Sequence, residues 1–292
     1  MRNHGLTFIF FCCIAIACFW ISSFCEQQTD GFSIARIQSI LPSDLCWASP
    51  DPTHPVELDR ALRQPYHYLG YGGQCYAFVS QDNRYVIKFF KTYFYQPKEL
   101  LYRLTLPYPF KKTQIRHLQR AREKLIRDFT SYALSWNDLR EETGLIYLHL
   151  AKTTHLKQKL RIADKLNISH EIDLDHMEFV VQHRANLVYE HIAECMYNQD
   201  ITKAKQAISS LLQLVKERSL KDCYDEDAKI HRNFGFVGNQ PKIIDIGRIV
   251  KDSQRASLYK EDLKLMTIKF RDWLQQNHPV LISHLDEALC EI

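Results

Sequence analysis

The chain has 292 residues, of which 46% are hydrophobic and 25% charged, so it can form one domain with a substantial core and is not a disordered chain. Its formal net charge of +4 is mild and its basic runs are interspersed with acids, so we read these runs as solvated faces and expect no nucleic-acid partner. Its nine cysteines show no Cys-x-x-Cys spacing and indicate neither a zinc site nor a disulfide framework.

Residues 1–25 form an apolar N-terminal segment. An uncharged run over residues 6–25 follows Arg2, and roughly twenty apolar residues suffice to cross a bilayer. Ala15 and Ala17 also fit the small-residue pattern of a signal-peptide cleavage site. We therefore predict a transmembrane anchor or a cleaved signal peptide, with a helix packed in the core as the remaining alternative. Residues 26–55 contain four prolines and predict an extended linker.

A glycine-containing hairpin is predicted next. Residues 69–79 read as strand, glycine turn and strand, and the turn region contains Gly70, Gly72 and Gly73. A further apolar strand over residues 85–90 carries a single lysine, Lys88. Glycines let backbone amides approach phosphate oxygens, and a lysine on the next strand can pair with those phosphates. The structural alternative is an ordinary hairpin with a solvated lysine.

The middle of the chain predicts one long helix and three strands. Apolar residues recur three or four apart over residues 114–142, and Thr143-Gly144 resembles a helix C-cap. A strand pair is predicted over residues 159–166 and 170–174, followed by a strand over residues 177–182. Two helices, residues 186–197 and 201–220, then lead into the most informative segment of the chain.

That segment, residues 227–248, contains Asp227, Asn233 and the triplet Asp245-Ile246-Gly247. One aspartate can orient a hydroxyl for attack, while an amide and a second carboxylate supply the oxygen ligands that Mg²⁺ prefers. A surface hairpin whose polar residues only make turns is the alternative. Helical patterns over residues 259–276 and 280–290 complete the chain.

The order of these features resembles the protein-kinase-like superfamily over roughly residues 66–292. The resemblance implies an α+β, two-lobed fold, with a small antiparallel-sheet N-lobe and its long helix in residues 56–185 and a compact helical C-lobe in residues 186–292. It implies ATP and Mg²⁺ as cofactors. It also assigns roles to individual residues: the loop glycines Gly70, Gly72 and Gly73, the phosphate-binding Lys88, the adenine-binding residues Gln182 and His183, the catalytic Asp227, and the metal ligands Asn233 and Asp245. The hinge whose backbone would meet adenine is predicted over residues 183–185.

The helix glutamate that pairs with the strand lysine in this superfamily is predicted to be Glu142, with Glu141 as the competitor. Several positions depart from the superfamily pattern. Cys75 stands where the third loop glycine is expected, and Asp227 lies one residue too far ahead of Asn233. Asp225 and Asp222 are therefore the fallback candidates for the catalytic aspartate, whereas His231-Arg232-Asn233 lies too close to Asp245 to be the usual His-Arg-Asp.

Two functions follow from this resemblance. The first is an ATP-dependent phosphotransferase that acts on an unidentified hydroxyl acceptor, and the second is a pseudokinase that serves as a nucleotide-binding or protein-interaction module. Either is expected to be membrane-anchored or secreted. The charges that flank residues 6–25 would place the domain outside the cytoplasm, where ATP is scarce, unless the anchor is inverted or the protein is delivered into another cell's cytosol.

Overall fold

The computed structural model describes residues 3–39, 41, 47, 55–95 and 110–292. Within these residues the chain combines one large sheet with a largely helical part, and a long apolar helix precedes both. This architecture confirms the predicted α+β class and the N-terminal hydrophobic segment.

Helix α1, Asn3–Thr29, is the apolar N-terminal segment. Over Phe8–Thr29 it is long and apolar enough to cross a membrane, and its most apolar stretch is not buried against the rest of the protein. A signal sequence has the same length and composition. The alternative of a packed core helix is wrong, because side chains such as Phe19 and Trp20 are exposed.

Residues 26–39 do not form the predicted extended linker. After α1 the chain forms a short helix, α2 (Ile34–Ile37), and Phe32 and Ile37 are buried among the apolar side chains of the sheet. Gln38 then forms an antiparallel bridge with Met177. The buried apolar side chains hold this stretch on the sheet, and the proline-rich remainder of the predicted linker lies mostly outside the described residues. Helix α3, Pro55–Leu62, leads into the first strand.

The large sheet contains seven strands, which are β1 Tyr66–Tyr71, β2 Cys75–Ser80, β3 Tyr85–Phe90, β4 Leu145–His149, β5 Lys159–Ala163, β6 Ser169–Asp173 and β7 Phe179–His183. Their order is β4-β7-β3-β2-β1-β5-β6. Neighbouring strands are antiparallel except β1 and β5, which run parallel. The predicted strand pair is confirmed as the β5–β6 hairpin, and it enlarges the sheet beyond the expected antiparallel set.

The long helix packs against this sheet. Helix α4, Phe110–Asp138, buries Phe129, Tyr132 and Trp136, which are spaced three and four residues apart. The helical conformation is interrupted at Leu139 and resumes in the short helix α5 (Arg140–Thr143), which ends at Gly144. Gly144 has a φ of 61°, and its N–H binds the carbonyls of the preceding turn, which confirms the predicted C-cap.

The helical part follows β7. Its elements are β8 Asn186–Leu187, α6 Val188–Tyr197, α7 Ile201–Leu220, β9 Cys223–Asp225, α8 Ile230–Asn233, β10 Phe234–Val237, β11 Gln240–Ile243, β12 Ile249–Lys251, α9 Ser253–Ala256, α10 Tyr259–Asn277 and α11 Ile282–Glu291. Strands β9 and β12 pair antiparallel, and the Glu226 N–H continues their pairing by binding the Arg248 carbonyl at 3.0 Å. This pairing places the residues that follow β9 beside those that precede β12, and so it brings the two ends of residues 227–248 together.

Candidate functional site

A cavity of about 530 Å³ lies between the turn that joins β1 to β2, strand β3, helix α4 and the segment of residues 227–248. Six of the predicted site residues line it, namely Gly72, Gly73, Lys88, Asp227, Asn233 and Asp245. The fold therefore brings together side chains that the sequence places in separate segments. Gly70, Glu142, Gln182 and His183 do not line this cavity.

The glycine turn leaves open space beside its backbone. A Cβ atom added to Gly72 or Gly73 would meet no other atom within 4 Å. The Gly72 N–H donates to the Cys75 carbonyl at 2.9 Å, and the Lys91 ammonium donates to the Gly72 carbonyl at 2.8 Å. The turn is thus held in place from the protein side and remains open towards the cavity. Gly70 lies within β1, at an irregularity in its pairing with β2.

Lys88 lies at the inner wall of the cavity. Its ammonium donates a hydrogen bond to the Ile244 carbonyl, immediately before Asp245. Burial lowers the pKa of Lys88, and the nearby Asp245 carboxylate acts in the opposite direction because it favours the charged ammonium. Asp245 in turn accepts a hydrogen bond of 3.3 Å from the Gly247 N–H. The lysine and the second aspartate therefore interact electrostatically, a relationship that the sequence analysis did not predict.

Glu142 does not pair with Lys88. Its carboxylate forms an ion pair with Lys221, which follows helix α7. The break at Leu139 turns α5 away from α4, so Glu142 faces the end of α7 and not strand β3. The competitor Glu141 is exposed, and its carbonyl accepts a hydrogen bond of 2.7 Å from Lys242.

Gln182 and His183 are engaged elsewhere. The Gln182 side chain is buried and donates to the Thr143 carbonyl at 2.9 Å. The His183 N–H donates to the Gly144 carbonyl at 3.0 Å, and the His183 ring lies 3.5 Å from the Glu57 carboxylate. Strand β7 has a neighbour on both edges, β3 and β4, so its backbone groups are already paired. The structure does not bring the predicted adenine-binding residues to the cavity.

Asp227 is the catalytic candidate that lines the cavity. Its carboxylate forms ion pairs with Lys229 and Arg232, the latter at 3.0 Å, and these cations lower its pKa. Its carbonyl accepts a hydrogen bond of 2.6 Å from the Asn233 side chain. An ionised carboxylate with a fixed backbone position can accept a further hydrogen bond from a hydroxyl group.

The two fallback aspartates lie elsewhere. Asp225 is buried 3.7 Å from the Arg218 guanidinium, and burial raises its pKa to about 6. Asp222 lies in the turn after α7, where its carbonyl accepts the Asp252 N–H at 2.9 Å. Of the three candidates, Asp227 alone is placed to meet a ligand in this cavity.

Asn233 and Asp245 are suited to hold a magnesium ion. Asn233 is almost fully buried, and its side-chain oxygen accepts no hydrogen bond within the part of the chain that the structure describes. Asn233 and Asp245 both line the cavity, and an amide oxygen and a carboxylate are two hard oxygen ligands of the kind that magnesium combines with phosphate and water. Across the described ranges there is no cluster of three or more His, Cys, Asp or Glu side chains suited to a metal. Asn233 and Asp245 are therefore the lining residues that could hold a divalent cation.

Several cationic residues of the cavity were missed by the sequence analysis. Lys124 and Arg127 project from α4, and Arg232 and Arg248 line the opposite side. Together with Lys88 they give the lining five cations, but Arg127 pairs with Asp128 at 2.7 Å and Arg248 lies 3.7 Å from Glu226, so with Asp227 and Asp245 four carboxylates stand against them. The excess of one positive charge is consistent with an anionic ligand. Lys124 and Arg127 are three residues apart, which places them on one face of the helix. This basic spacing is the signal in the sequence that could have identified them.

Comparisons with known proteins leave the family open. No family model matches the sequence, and no curated protein matches it. Among solved structures, the bifunctional kinase-methyltransferase WbdD is 13% identical with a TM-score of 0.34, and the match covers 77% of this chain and 46% of that one. Rv3197 from Mycobacterium tuberculosis, solved with erythromycin, is 13% identical with a TM-score of 0.34, covering 81% of this chain and 61% of that one. The chain thus spans less than half of the WbdD length, and at these TM-scores its function rests on the site.

Proposed function

We propose that the chain is an ATP- and Mg²⁺-dependent phosphotransferase of atypical kinase fold that transfers the γ-phosphate to a hydroxyl acceptor. The observation that carries this proposal is the convergence of Lys88, Asp227, Asn233 and Asp245 on one cavity beside a glycine turn. Neither the activity nor the acceptor follows from composition or from the weak structural likeness.

Residues from several walls of the cavity would each contribute to nucleotide binding. The backbone of Gly72 and Gly73 leaves room for phosphate oxygens, and Lys88 supplies a buried positive charge on the neighbouring strand. Lys124 of α4 adds a further charge to the lining, whereas Arg127 is held by Asp128. A phosphate group that enters this space exchanges its water shell for fixed donors, which is the main requirement for phosphoryl transfer.

Asn233 and Asp245 would hold the magnesium ion, whose charge neutralises that of the phosphates. The buried, unpaired Asn233 oxygen gains a ligand in this arrangement. The hydrogen bond from Asn233 to the Asp227 carbonyl ties the metal ligand to the catalytic aspartate. One contact therefore sets the distance between the residue that orients the acceptor and a residue that positions the phosphates.

Asp227 would orient the attacking hydroxyl. Its pKa is held below the ordinary range by Lys229 and Arg232, so its carboxylate is ionised at neutral pH. An ionised carboxylate accepts the hydroxyl hydrogen bond and can receive its proton as the new O–P bond forms.

A pseudokinase is the second candidate, and three observations favour it. Cys75 occupies the position of the third loop glycine, the Gln74 side chain crosses the space in front of Gly247, and Glu142 binds Lys221 in place of Lys88. A protein of this kind would bind nucleotide, or a partner, without turnover.

Thermal unfolding with and without Mg-ATP tests the binding part of the proposal. The chain from residue 26 onward should gain stability, because a ligand that binds only the folded state at 100 times its Kd adds about 2.7 kcal/mol. Lys88→Ala and Asp245→Asn should each lose most of this gain. Lys159→Ala and Asp59→Asn, at exposed ion pairs outside the cavity, are the matched controls. No gain with ATP, ADP or GTP, with or without metal, refutes nucleotide binding.

A further inference from the structure

The loop that joins β5 to β6, residues 164–168, presents two apolar side chains on an ordered turn. The Asp164 carboxylate accepts hydrogen bonds from the N–H groups of Leu166 and Ile168, at 2.9 and 3.0 Å, and it also binds His170 at 2.8 Å. Asn167 adopts the left-handed conformation with a φ of 60°. Leu166 and Ile168 are nonetheless 49% and 52% exposed. The turn is held by polar contacts while its apolar side chains remain in solvent.

The direction of this hairpin follows from its contacts with the chain that leaves α1. Asp30 forms an ion pair of 2.8 Å with Lys165 at the hairpin tip, and the Phe32 ring packs against the His170 ring with centroids 6.0 Å apart. Gln38 reaches the Met177 backbone beyond the far end of the hairpin. Residue 30 therefore lies beside the tip of the hairpin, and residue 38 lies beside its base. The tip therefore lies on the side of the apolar helix.

The end of α1 is fixed to the sheet without a free linker. The Tyr68 hydroxyl donates to the Asp30 carboxylate at 3.0 Å, and the Tyr76 hydroxyl donates to the Gly31 carbonyl at 2.6 Å. Phe32, one residue further, is buried against both tyrosine rings. A bilayer that surrounds Phe8–Thr29 would consequently end close to Asp30, which Tyr68 of β1 and Lys165 at the hairpin tip both contact.

We propose that residues 164–168 dip into the interfacial region of a lipid bilayer, with Leu166 and Ile168 among the upper acyl chains. The proposal rests on α1 remaining in the mature chain as a membrane anchor. Burying two half-exposed aliphatic side chains contributes too little free energy to bind a membrane alone. Beside a spanning helix the contact is intramolecular, so this small free energy suffices to set the tilt of the domain on the membrane surface.

A fluorescence experiment tests this contact on the full chain reconstituted in phosphatidylcholine vesicles. An environment-sensitive fluorescent amino acid replaces Ile168, and in a matched control it replaces Tyr197, which is 88% exposed at the end of α6. Lipids that carry a nitroxide near the headgroup should quench the probe at position 168 severalfold more than the probe at position 197. Equal thermal unfolding of both labelled chains and the unlabelled chain establishes that the label has not altered the fold.

Equal quenching at the two positions overturns the proposal, and so does a mature chain that lacks α1. A blue-shifted probe at position 168 without lipid also overturns it, because the apolar tip would then be covered by protein. This readout does not involve nucleotide, so its failure leaves the proposed phosphotransferase function untouched. Conversely, a chain that binds no ATP can still pass this test.

Discussion

The side chain of Gln74 joins the glycine turn to Gly247, its amide nitrogen donating a hydrogen bond of 3.0 Å to the Gly247 carbonyl. A Cβ atom at position 247 would lie 1.9 Å from the Gln74 side-chain oxygen, so this arrangement requires a glycine. The contact links the turn that would meet the phosphates to the segment that carries Asp245. It therefore holds the two sides of the candidate nucleotide cavity together in the absence of ligand.

Replacing Gln74 with alanine should tighten nucleotide binding. If the phosphates have to displace the Gln74 side chain, loss of a hydrogen bond worth about 1 kcal/mol lowers the Kd for Mg-ATP about fivefold. Titration calorimetry measures this change, and Gln81→Ala, in the exposed turn between β2 and β3, is the matched control. Weaker binding by Gln74→Ala would instead mean that Gln74 contacts the nucleotide.

Asp227→Asn should separate binding from chemistry. The amide preserves the shape of the side chain but cannot accept a proton, so ATP turnover should fall at least about a hundredfold while ATP binding persists. Asp225→Asn is the comparison. It removes the partner of the buried Arg218 and should lower the stability of the fold, yet it should retain turnover under conditions where the chain is folded. Turnover that depends on Asp225 and not on Asp227 would move the catalytic role to Asp225.

The parts of the site that the sequence predicts are those that depend on local order along the chain. Gly72 lies in the turn between β1 and β2, Lys88 lies within β3, Asn233 ends the short helix α8, and Asp245 follows β11 by two residues. Each position is set by a short element that the nearby sequence specifies. The prediction that Glu142 pairs with Lys88 is wrong because it assumed an unbroken helix, whereas the helix is interrupted at Leu139.

Other features depend on pairing between distant segments, which periodicity does not reveal. Strand β7 lies between β3 and β4, so its backbone groups are already paired. The His183 N–H, which the hinge prediction assigns to adenine, donates to the Gly144 carbonyl. The docking of residues 26–39 follows from two buried side chains, Phe32 and Ile37, in a stretch that lacks a regular apolar pattern. Composition alone therefore suggested a linker.

Glu142→Gln should leave nucleotide binding unchanged, because the carboxylate pairs with Lys221 and not with Lys88. Lys221 is partly exposed, so loss of the ion pair should lower the free energy of unfolding by no more than about 1 kcal/mol. Parallel measurements of the Mg-ATP Kd and of urea unfolding distinguish the two effects. A large loss of ATP affinity with intact stability would restore Glu142 to the site in a nucleotide-bound conformation.

The burial of Glu178 predicts that the stability of the fold depends on pH. This side chain is fully buried and accepts a hydrogen bond from Ser39, and burial raises its pKa from an ordinary 4.5 to about 7. Because the folded-state pKa exceeds the unfolded one, its contribution is fully present below pH 4.5 and is lost as the pH rises through about 7.

The unmodified chain should lose roughly 2.5 kcal/mol of stability from pH 5 to pH 8 for a pKa shift of this size, and Glu178→Gln, which removes the titration, should not show this loss. Urea unfolding at the two pH values measures the difference, and Glu171→Gln, at an exposed ion pair, is the control. If Glu178→Gln shows the same pH slope as the unmodified chain, Glu178 is ionised in the folded protein at neutral pH.

Removal of residues 3–25 should abolish membrane association and leave the fold and the cavity intact. The side chains of Phe19 and Trp20 are 70% and 68% exposed. Glu26 pairs with Arg36 of α2, and Asp30 contacts the sheet through Tyr68 of β1. The truncated chain should therefore match the full chain in thermal unfolding and in Mg-ATP affinity.

Fractionation with intact-mass analysis of the full chain then separates the two interpretations of α1. Membrane-bound protein that retains Met1 identifies an anchor, and a chain that starts near Cys18 identifies a cleaved signal peptide. A full-length, uncleaved chain that stays in solution would refute both, because that much exposed apolar surface is unfavourable in water and requires a lipid or protein partner.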